Sequence, residues 1–279
     1  MEVKAFAKIN LFLDITGKRA DGYHELAMIM QEVGLYDTVT AERADGIYAH
    51  ADGVDDEHNI AAKAARAFFA AAGIDGGLRI SVKKGIPMQA GLGGGSADAA
   101  AALKCANELY GFPLSHAELL RVGNTIGADV PFALTGKTAV ALGTGDILTP
   151  IDNRLAPFYL IIKPEGGVST ARAFALFDEQ PQKSSADISL CVRALEAGDA
   201  SAFSKAAYNA LTPAAKLICP GVSSALNVLD GLNGCLCSFM TGSGSACVGM
   251  FSNRAQAESA KKAASALGGY RVFLTAGRG

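Results

Sequence analysis

Apolar and polar positions alternate from the start of the chain. Ala5, Ala7, Ile9, Leu11, Leu13 and Ile15 fall on one side of an extended segment, and Lys4, Phe6, Lys8, Asn10, Phe12 and Asp14 on the other. This predicts a long strand from whose second face Lys8 and Asn10 project together. Residues 60–72 switch to a helical period that stops at Gly73, and 78–84 alternates again as a strand. A glycine-rich loop over 87–96 follows, and an alanine-rich helix leaves it from about 97 to 110. Ser115 and Glu118 match a capping box for a helix that runs to the 127–131 break, so Asp129 lies just past a helix end. A strand over 138–142 then reaches a turn at 143–145.

The pattern restarts with a buried strand over 158–163. Helical stretches near 187–209 and 221–230, strands at 236–240 and 246–251, a helix over 254–267 and a strand over 270–275 complete the chain. With the intervening helices merged, the order is strand, helix, strand, strand, helix, strand, which is that of ferredoxin-like domains. The expected fold class is α+β, in two domains spanning 1–150 and 151–279.

Composition narrows the function. Half of the 279 residues are hydrophobic and 19% are charged, which excludes disorder and coiled coil. A net charge of −2 argues against a global positive field for nucleic acid or anionic membrane, while leaving a small anionic substrate open. The longest charge-free stretch, 231–253, contains five glycines and several polar residues, so it is no lipid-facing helix. Charges at Glu2, Lys4 and Lys8 interrupt the apolar centre that a signal peptide needs, and the expected location is the cytoplasm. Six scattered cysteines form no CxxC pair and read as packing thiols.

The chain has 32 glycines, well above the average usage of about 7%. Four of them, Gly91, Gly93, Gly94 and Gly95, fall within five positions between a strand and a helix. A tight turn needs one or two glycines. Four remove every Cβ that would hold a ligand away, and the N–H groups of the following helix start then suit a phosphate. Ser96 could cap that helix, donate to a phosphate oxygen or ligate Mg²⁺. The P-loop pattern fails because Ala97, not Ser or Thr, follows Ser96 and no lysine precedes it. The dinucleotide pattern fails because its last glycine is Ser96. The missing positive charge must come from Lys8, Lys83 or Lys84.

Three separated motifs, in order, resemble those of the GHMP kinase superfamily: Ala7-Lys8-Ile9-Asn10-Leu11, Pro87 through Asp98, and Met240-Thr241-Gly242-Ser243-Gly244-Ser245-Ala246. Arg19 through Glu25 and Gly127 through Phe132 are similar to the branch that acts on a cytidine-diphosphate-linked methylerythritol in isoprenoid precursor synthesis. Homoserine- or mevalonate-type kinases of the superfamily are the alternative. Phe6, Gln89 and Ala97 depart from the usual Pro, Gly and Ser.

The resemblance implies an N-terminal α/β domain like that of ribosomal protein S5, a C-terminal ferredoxin-like domain, and an active site in the cleft between them. It also implies transfer of the ATP γ-phosphate to a tertiary hydroxyl, with Mg²⁺ bridging ATP oxygens. Asp129 would be the base and Lys8 the cation. Pro87, Met88, Gln89, Ala90, Gly91, Leu92, Gly93, Gly94, Gly95, Ser96 and Ala97 would bind ATP, with Ser96 the candidate metal ligand. Asn10 would meet the methylerythritol hydroxyls. Tyr23, His24 and Phe174 would hold the cytosine. Gly242, Ser243 and Gly244 would present N–H groups to the substrate diphosphate, with Gly249 in the strand that follows. Adenine contacts are expected within 55–66 and near Lys83. The partners expected are small molecules alone, with the chain a monomer or weak homodimer.

Overall fold

The computed structural model describes residues 1–52, 59–180 and 186–278. The first half of the chain runs β1 (Glu2–Lys18), β2 (His24–Ala44), β3 (Ile47–Ala51), α1 (Ile60–Ala72), β4 (Gly77–Lys83), α2 (Gly94–Leu109), α3 (His116–Ile126), α4 (Val130–Thr135), β5 (Ala139–Gly143) and β6 (Ile147–Pro150). The second half runs β7 (Phe158–Pro164), α5 (Thr170–Asp178), α6 (Ile188–Ala197), α7 (Ala200–Ala206), β8 (Tyr208–Asn209), α8 (Thr212–Ile218), α9 (Gly221–Asp230), β9 (Cys235–Met240), β10 (Cys247–Phe251), α10 (Arg254–Ala266) and β11 (Tyr270–Arg278). No helix among the described residues is long and apolar enough to cross a membrane.

Two compact units form, each discontinuous in sequence. One comprises 1–8, 35–86 and 93–136; the other comprises 9–34, 87–92 and 137–279. In the first unit, β4 pairs parallel with β3 and antiparallel with Thr38–Ala44 of β2. Helices α1, α2, α3 and α4 pack on one another beside this sheet. In the second unit the sheet order is β9-β10-β7-β11, all antiparallel, which is the ferredoxin-like order expected from the sequence. Helices α9 and α10 lie on it. The start of β2 pairs with β5 over Leu26–Met30.

Several elements depart from expectation. Strand β2, 21 residues long, escaped the pattern because Ala27 through Gln31 are all buried, so its first half shows no polar alternate face. The second face of β1 is covered as well, leaving Lys8 only 8% and Asn10 only 1% exposed. The helical stretch near 187–209 breaks at Gly198, which takes φ +69° as the C-cap of α6, and Asp199 caps the start of α7. Helices α4, α5 and α8 are short and carry too few turns to register as periodicity.

Gly249 has a different reason from the one expected. It pairs with Leu160 and Ser238 in mid-sheet. A Cβ there would stand 2.8 Å from Leu229 Cδ2, so the glycine admits helix α9 rather than an anion. All six cysteines are free. Burial pushes the thiols of Cys105, Cys191, Cys235, Cys237 and Cys247 up, to about 12 for Cys191, Cys237 and Cys247, as inert packing residues require.

Candidate active site

Within the first unit, Lys8 and Asp129 face one another, with Nζ 3.4 Å from Oδ2 and the side chains 10% and 28% exposed. Asp129 occupies the N-cap position of α4, yet its side chain makes no cap hydrogen bond there. The carboxylate is thus not spent on closing a helix end. The stem of Lys8 runs against the start of α2: a Cβ at Gly93 would lie 2.9 Å from Lys8 Cγ, and Gly93 takes φ +68°. Both facts demand glycine at the N-cap.

Helix α2 begins at Gly94, three residues earlier than its alanine run suggests, and no side chain caps it. Ser96 is therefore inside the first turn and is not the cap that the sequence allowed. Ala97 N–H already bonds to Gly93 O, which leaves the N–H groups of Gly94, Gly95 and Ser96 pointing along the helix axis with its positive end. That arrangement suits a phosphate.

Of the other two lysines, one is exposed and one is ion-paired with its Nζ beside the start of α2, 3.6 Å from where a Cβ on Gly94 would stand. Lys83 is exposed at the end of β4, opposite Thr38. Lys84 Nζ lies 2.5 Å from Asp37 Oδ2 and 2.6 Å from Asp98 Oδ2. Asp37 is fully buried, and its Oδ1 accepts from the N–H groups of Gly85 and Ile86, tying the end of β4 down. Burial pushes Asp98 up to about 7, with Lys84 opposing and Asp37 adding to the shift, and its Oδ1 has no partner. One ammonium shared between two buried carboxylates leaves a surplus negative charge, which favours the protonated form of Asp98.

In the second unit the three motif segments are joined by a single hydroxyl. Thr241 Oγ1 accepts from Asn10 N–H at 2.9 Å and donates to Gly91 O at 3.2 Å. Ala246 N–H donates to Ala90 O, and Ser245 N–H to Gln89 O. Asn209 Nδ2 donates to both Met240 O and Gly242 O. The two glycine loops therefore lie back to back. A Cβ at Gly91 would stand 2.1 Å from Thr241 O, and one at Gly242 would stand 2.8 Å from Gly91 O. Gly244 N–H closes a turn onto Thr241 O, and Ser243 Oγ meets Thr170 Oγ1 at 2.9 Å. Gln89 takes φ +51°, and its carbonyl is one of the acceptors in this seam. Asn10 turns its amide onto Met28 Sδ at 3.4 Å.

Also in this unit, Tyr23 is 67% exposed in the turn that Gly22 (φ +87°) and the Asp21 carboxylate shape. His24 opens β2 and stacks on Phe174, with centroids 4.7 Å apart and planes 24° apart, while Phe177 meets it edge-on. Asp178 binds both His24 Nε2, at 2.7 Å, and Lys18 Nζ, at 2.5 Å. These hydrogen bonds hold its carboxyl below the usual range.

Thr241, Asn209, Asp178, Lys18 and the pairing of Lys84 with Asp37 and Asp98 were not singled out from sequence. Thr241 sits inside a recognised motif, whereas the others meet their partners only through long-range folding. Of the stretch expected to contact adenine, 55–58 lies outside the described residues. Asn59 caps α1 and leaves its buried Nδ2 unpartnered.

Comparison with known proteins agrees with this architecture. The GHMP kinases N terminal domain matches residues 59–137, and the GHMP kinases C terminal domain matches residues 191–269. A 4-diphosphocytidyl-2-C-methyl-D-erythritol kinase of Desulfitobacterium hafniense (strain Y51) is 41% identical over 259 residues, covering 92% of this chain and 89% of the relative. A crystal structure of 4-(cytidine 5'-diphospho)-2C-methyl-D-erythritol kinase superposes with TM-score 0.84 at 32% identity, covering all of both chains. Homoserine kinase from Cytophaga hutchinsonii superposes with TM-score 0.74 at 18% identity, covering 96% of this chain and 93% of that one, a likeness of fold alone. The chain belongs to the GHMP kinases and, within them, to the family of the 4-diphosphocytidyl-2-C-methyl-D-erythritol kinases.

Proposed function

We infer that the chain is an ATP-dependent kinase that phosphorylates the tertiary 2-hydroxyl of 4-diphosphocytidyl-2-C-methyl-D-erythritol, a step toward isoprenoid precursors. The observation that carries the reading of the site is the Lys8–Asp129 pair, 3.4 Å apart, beside the uncapped start of α2. Phosphoryl transfer needs an in-line hydroxyl, a group to take its proton and positive charge around the moving phosphoryl oxygens. Asp129 takes the proton as the new P–O bond forms. The Lys8 ammonium and the N–H groups of Gly94, Gly95 and Ser96 stabilise the charge that spreads over the phosphoryl oxygens.

No cluster of three acidic, His or Cys side chains among the described residues could hold a metal ion. Toward Mg²⁺ the Ser96 hydroxyl, which is free of a capping role, is the candidate donor, and ATP oxygens would supply the other ligands. A metal ion brought in on ATP would neutralise part of the triphosphate charge. On the acceptor side, Tyr23, His24 and Phe174 hold the cytosine, Asn10 the methylerythritol hydroxyls, and Gly242 and Ser243 the diphosphate, while the Gly244 N–H is taken by the Thr241 carbonyl and shapes the turn. Stacking on such rings contributes roughly 1–3 kcal/mol per base. In this reading 1–150 carries the ATP-binding machinery and 151–279 the substrate-side loop, and the enzyme works in the cytoplasm as a monomer or weak homodimer.

The test is to incubate the protein with Mg-ATP and a panel of alcohols, measuring ADP. Release with the cytidine diphosphate compound alone is expected. Release with homoserine or mevalonate and none with the cytidine compound would overturn the substrate assignment.

A further inference from the structure

Helix α5 presents Phe174 and Asp178 one turn apart on the same face, and His24 meets both. Phe174 takes the face of the imidazole and Asp178 takes its Nε2. The histidine side chain is only 12% exposed, so its orientation is fixed by these contacts. The two carboxylate oxygens are divided: Lys18 Nζ claims Oδ2 at 2.5 Å, and His24 Nε2 meets Oδ1 at 2.7 Å.

We propose that Asp178 is a positioning residue that fixes the tautomer of His24 and thereby makes the enzyme select an amino-bearing pyrimidine over its carbonyl-bearing counterpart. This rests on the reading of His24 as a residue that meets the base. An ionised carboxylate can only accept hydrogen bonds, so the neutral imidazole keeps its proton on Nε2. Nδ1 is then a bare acceptor. Position 4 of cytosine carries an amino donor, whereas position 4 of uracil carries a carbonyl acceptor. An Nδ1 lone pair attracts the first and repels the second. Selectivity for the cytidine substrate is then set by Asp178, which does not itself touch the base.

Lys18 makes the proposal specific. In Asp178→Asn the ammonium, which has donors only, claims the single amide oxygen. The amide NH₂ is then turned toward His24 Nε2, which must accept, so the proton moves to Nδ1 and the acceptor becomes a donor. Removing the ammonium in Lys18→Met/Asp178→Asn frees the amide to turn its oxygen back to His24 and restore the first tautomer. A structural role for Asp178 alone gives no reason for a second lesion to rescue the first.

The experiment measures kcat and KM for the cytidine diphosphate substrate and its uridine diphosphate analogue. The proteins are wild type, D178N, K18M, K18M/D178N and H24A, with ¹⁵N-imidazole spectra to read the tautomer. D178N is expected to move the His24 proton to Nδ1 and to lower the cytidine-to-uridine ratio of kcat/KM by about tenfold to a hundredfold, chiefly through KM. K18M should keep the ratio, and the double variant should recover most of it. An unchanged ratio in D178N, or an equal loss on both substrates, overturns the proposal. If H24A nevertheless raises the cytidine KM, His24 still meets the base. An H24A enzyme with unchanged KM overturns both readings.

Discussion

Replacing Asp129 by Asn tests the core of the mechanism because its effects on folding and on chemistry separate by magnitude. The Lys8–Asp129 pair at 3.4 Å has a Coulomb attraction of about 5 kcal/mol at an effective dielectric constant of 20. Much of this is offset by desolvation and screening, since the aspartate is 28% exposed. The amide keeps an oxygen for Lys8 to bond, and no helix cap is lost, because the carboxylate makes none. The expected stability loss is therefore no more than about 1–2 kcal/mol, or a fall in Tm of roughly 8 °C at most for a chain of this length. Loss of the proton acceptor should lower kcat by at least about 100-fold, equivalent to roughly 2.7 kcal/mol of barrier. ADP release measured at 25 °C, beside a thermal melt, reads both. Lys8→Met should also lower kcat, and the double variant should cost far less than the product of the two single losses, as for residues acting as a unit. An Asp129→Asn enzyme turning over within about fivefold of wild type would refute the assignment, as would multiplicative losses in the double variant.

Other outcomes follow from the same geometry. Gly91→Ala should destabilise the fold by about 2–4 kcal/mol, because its Cβ would meet the Thr241 carbonyl oxygen at 2.1 Å in a positive-φ position. Gly95→Ala, whose Cβ would make an ordinary 3.7 Å contact with Ile60 inside a helix, should stay within about 1 kcal/mol of wild type. Equal thermal melts for the two would contradict that division. Asp98 has its carboxyl raised from 3.8 to about 7 in the folded state, so its contribution to stability is greatest below pH 4 and is lost as pH rises toward 7. In urea titrations, Asp98→Asn should therefore gain on wild type between pH 5 and 7.5, and a constant or falling difference would contradict the buried-charge account. His24→Ala should raise the KM for the cytidine substrate while leaving that for ATP unchanged; a selective loss of ATP affinity would remove His24 from the base site.

Local pattern carried a good part of this molecule. The alternation in β1, the helical periods of α1 and α10, the capping box of Ser115 and Glu118 and the ferredoxin order of the second half are short-range features, and the structure repeats them. The hidden elements are those whose signal is erased by burial or length. Strand β2 is covered on both faces where it pairs with β5, and α5, which carries Phe174 and Asp178, has only nine residues.

The glycine excess shows where the division lies. Sequence alone determined that a strand–glycine loop–helix unit exists, that its helix start suits an anion, and that neither of two familiar nucleotide patterns fits it, because chain-local geometry follows from chain-local residues. Only the tertiary structure decided what each glycine is for. Gly93 makes room for the Lys8 stem, Gly91 and Gly242 let two backbone segments touch, and Gly249 admits a helix onto a sheet. It also decided how the lysines near the loop are paired, since Lys84 is held by Asp37 and Asp98 while Lys8 faces Asp129. The physical reason is common to both. Close approach and charge pairing depend on distances between residues far apart in the chain, such as 8 and 129, or 91 and 241, and no local spacing encodes those distances.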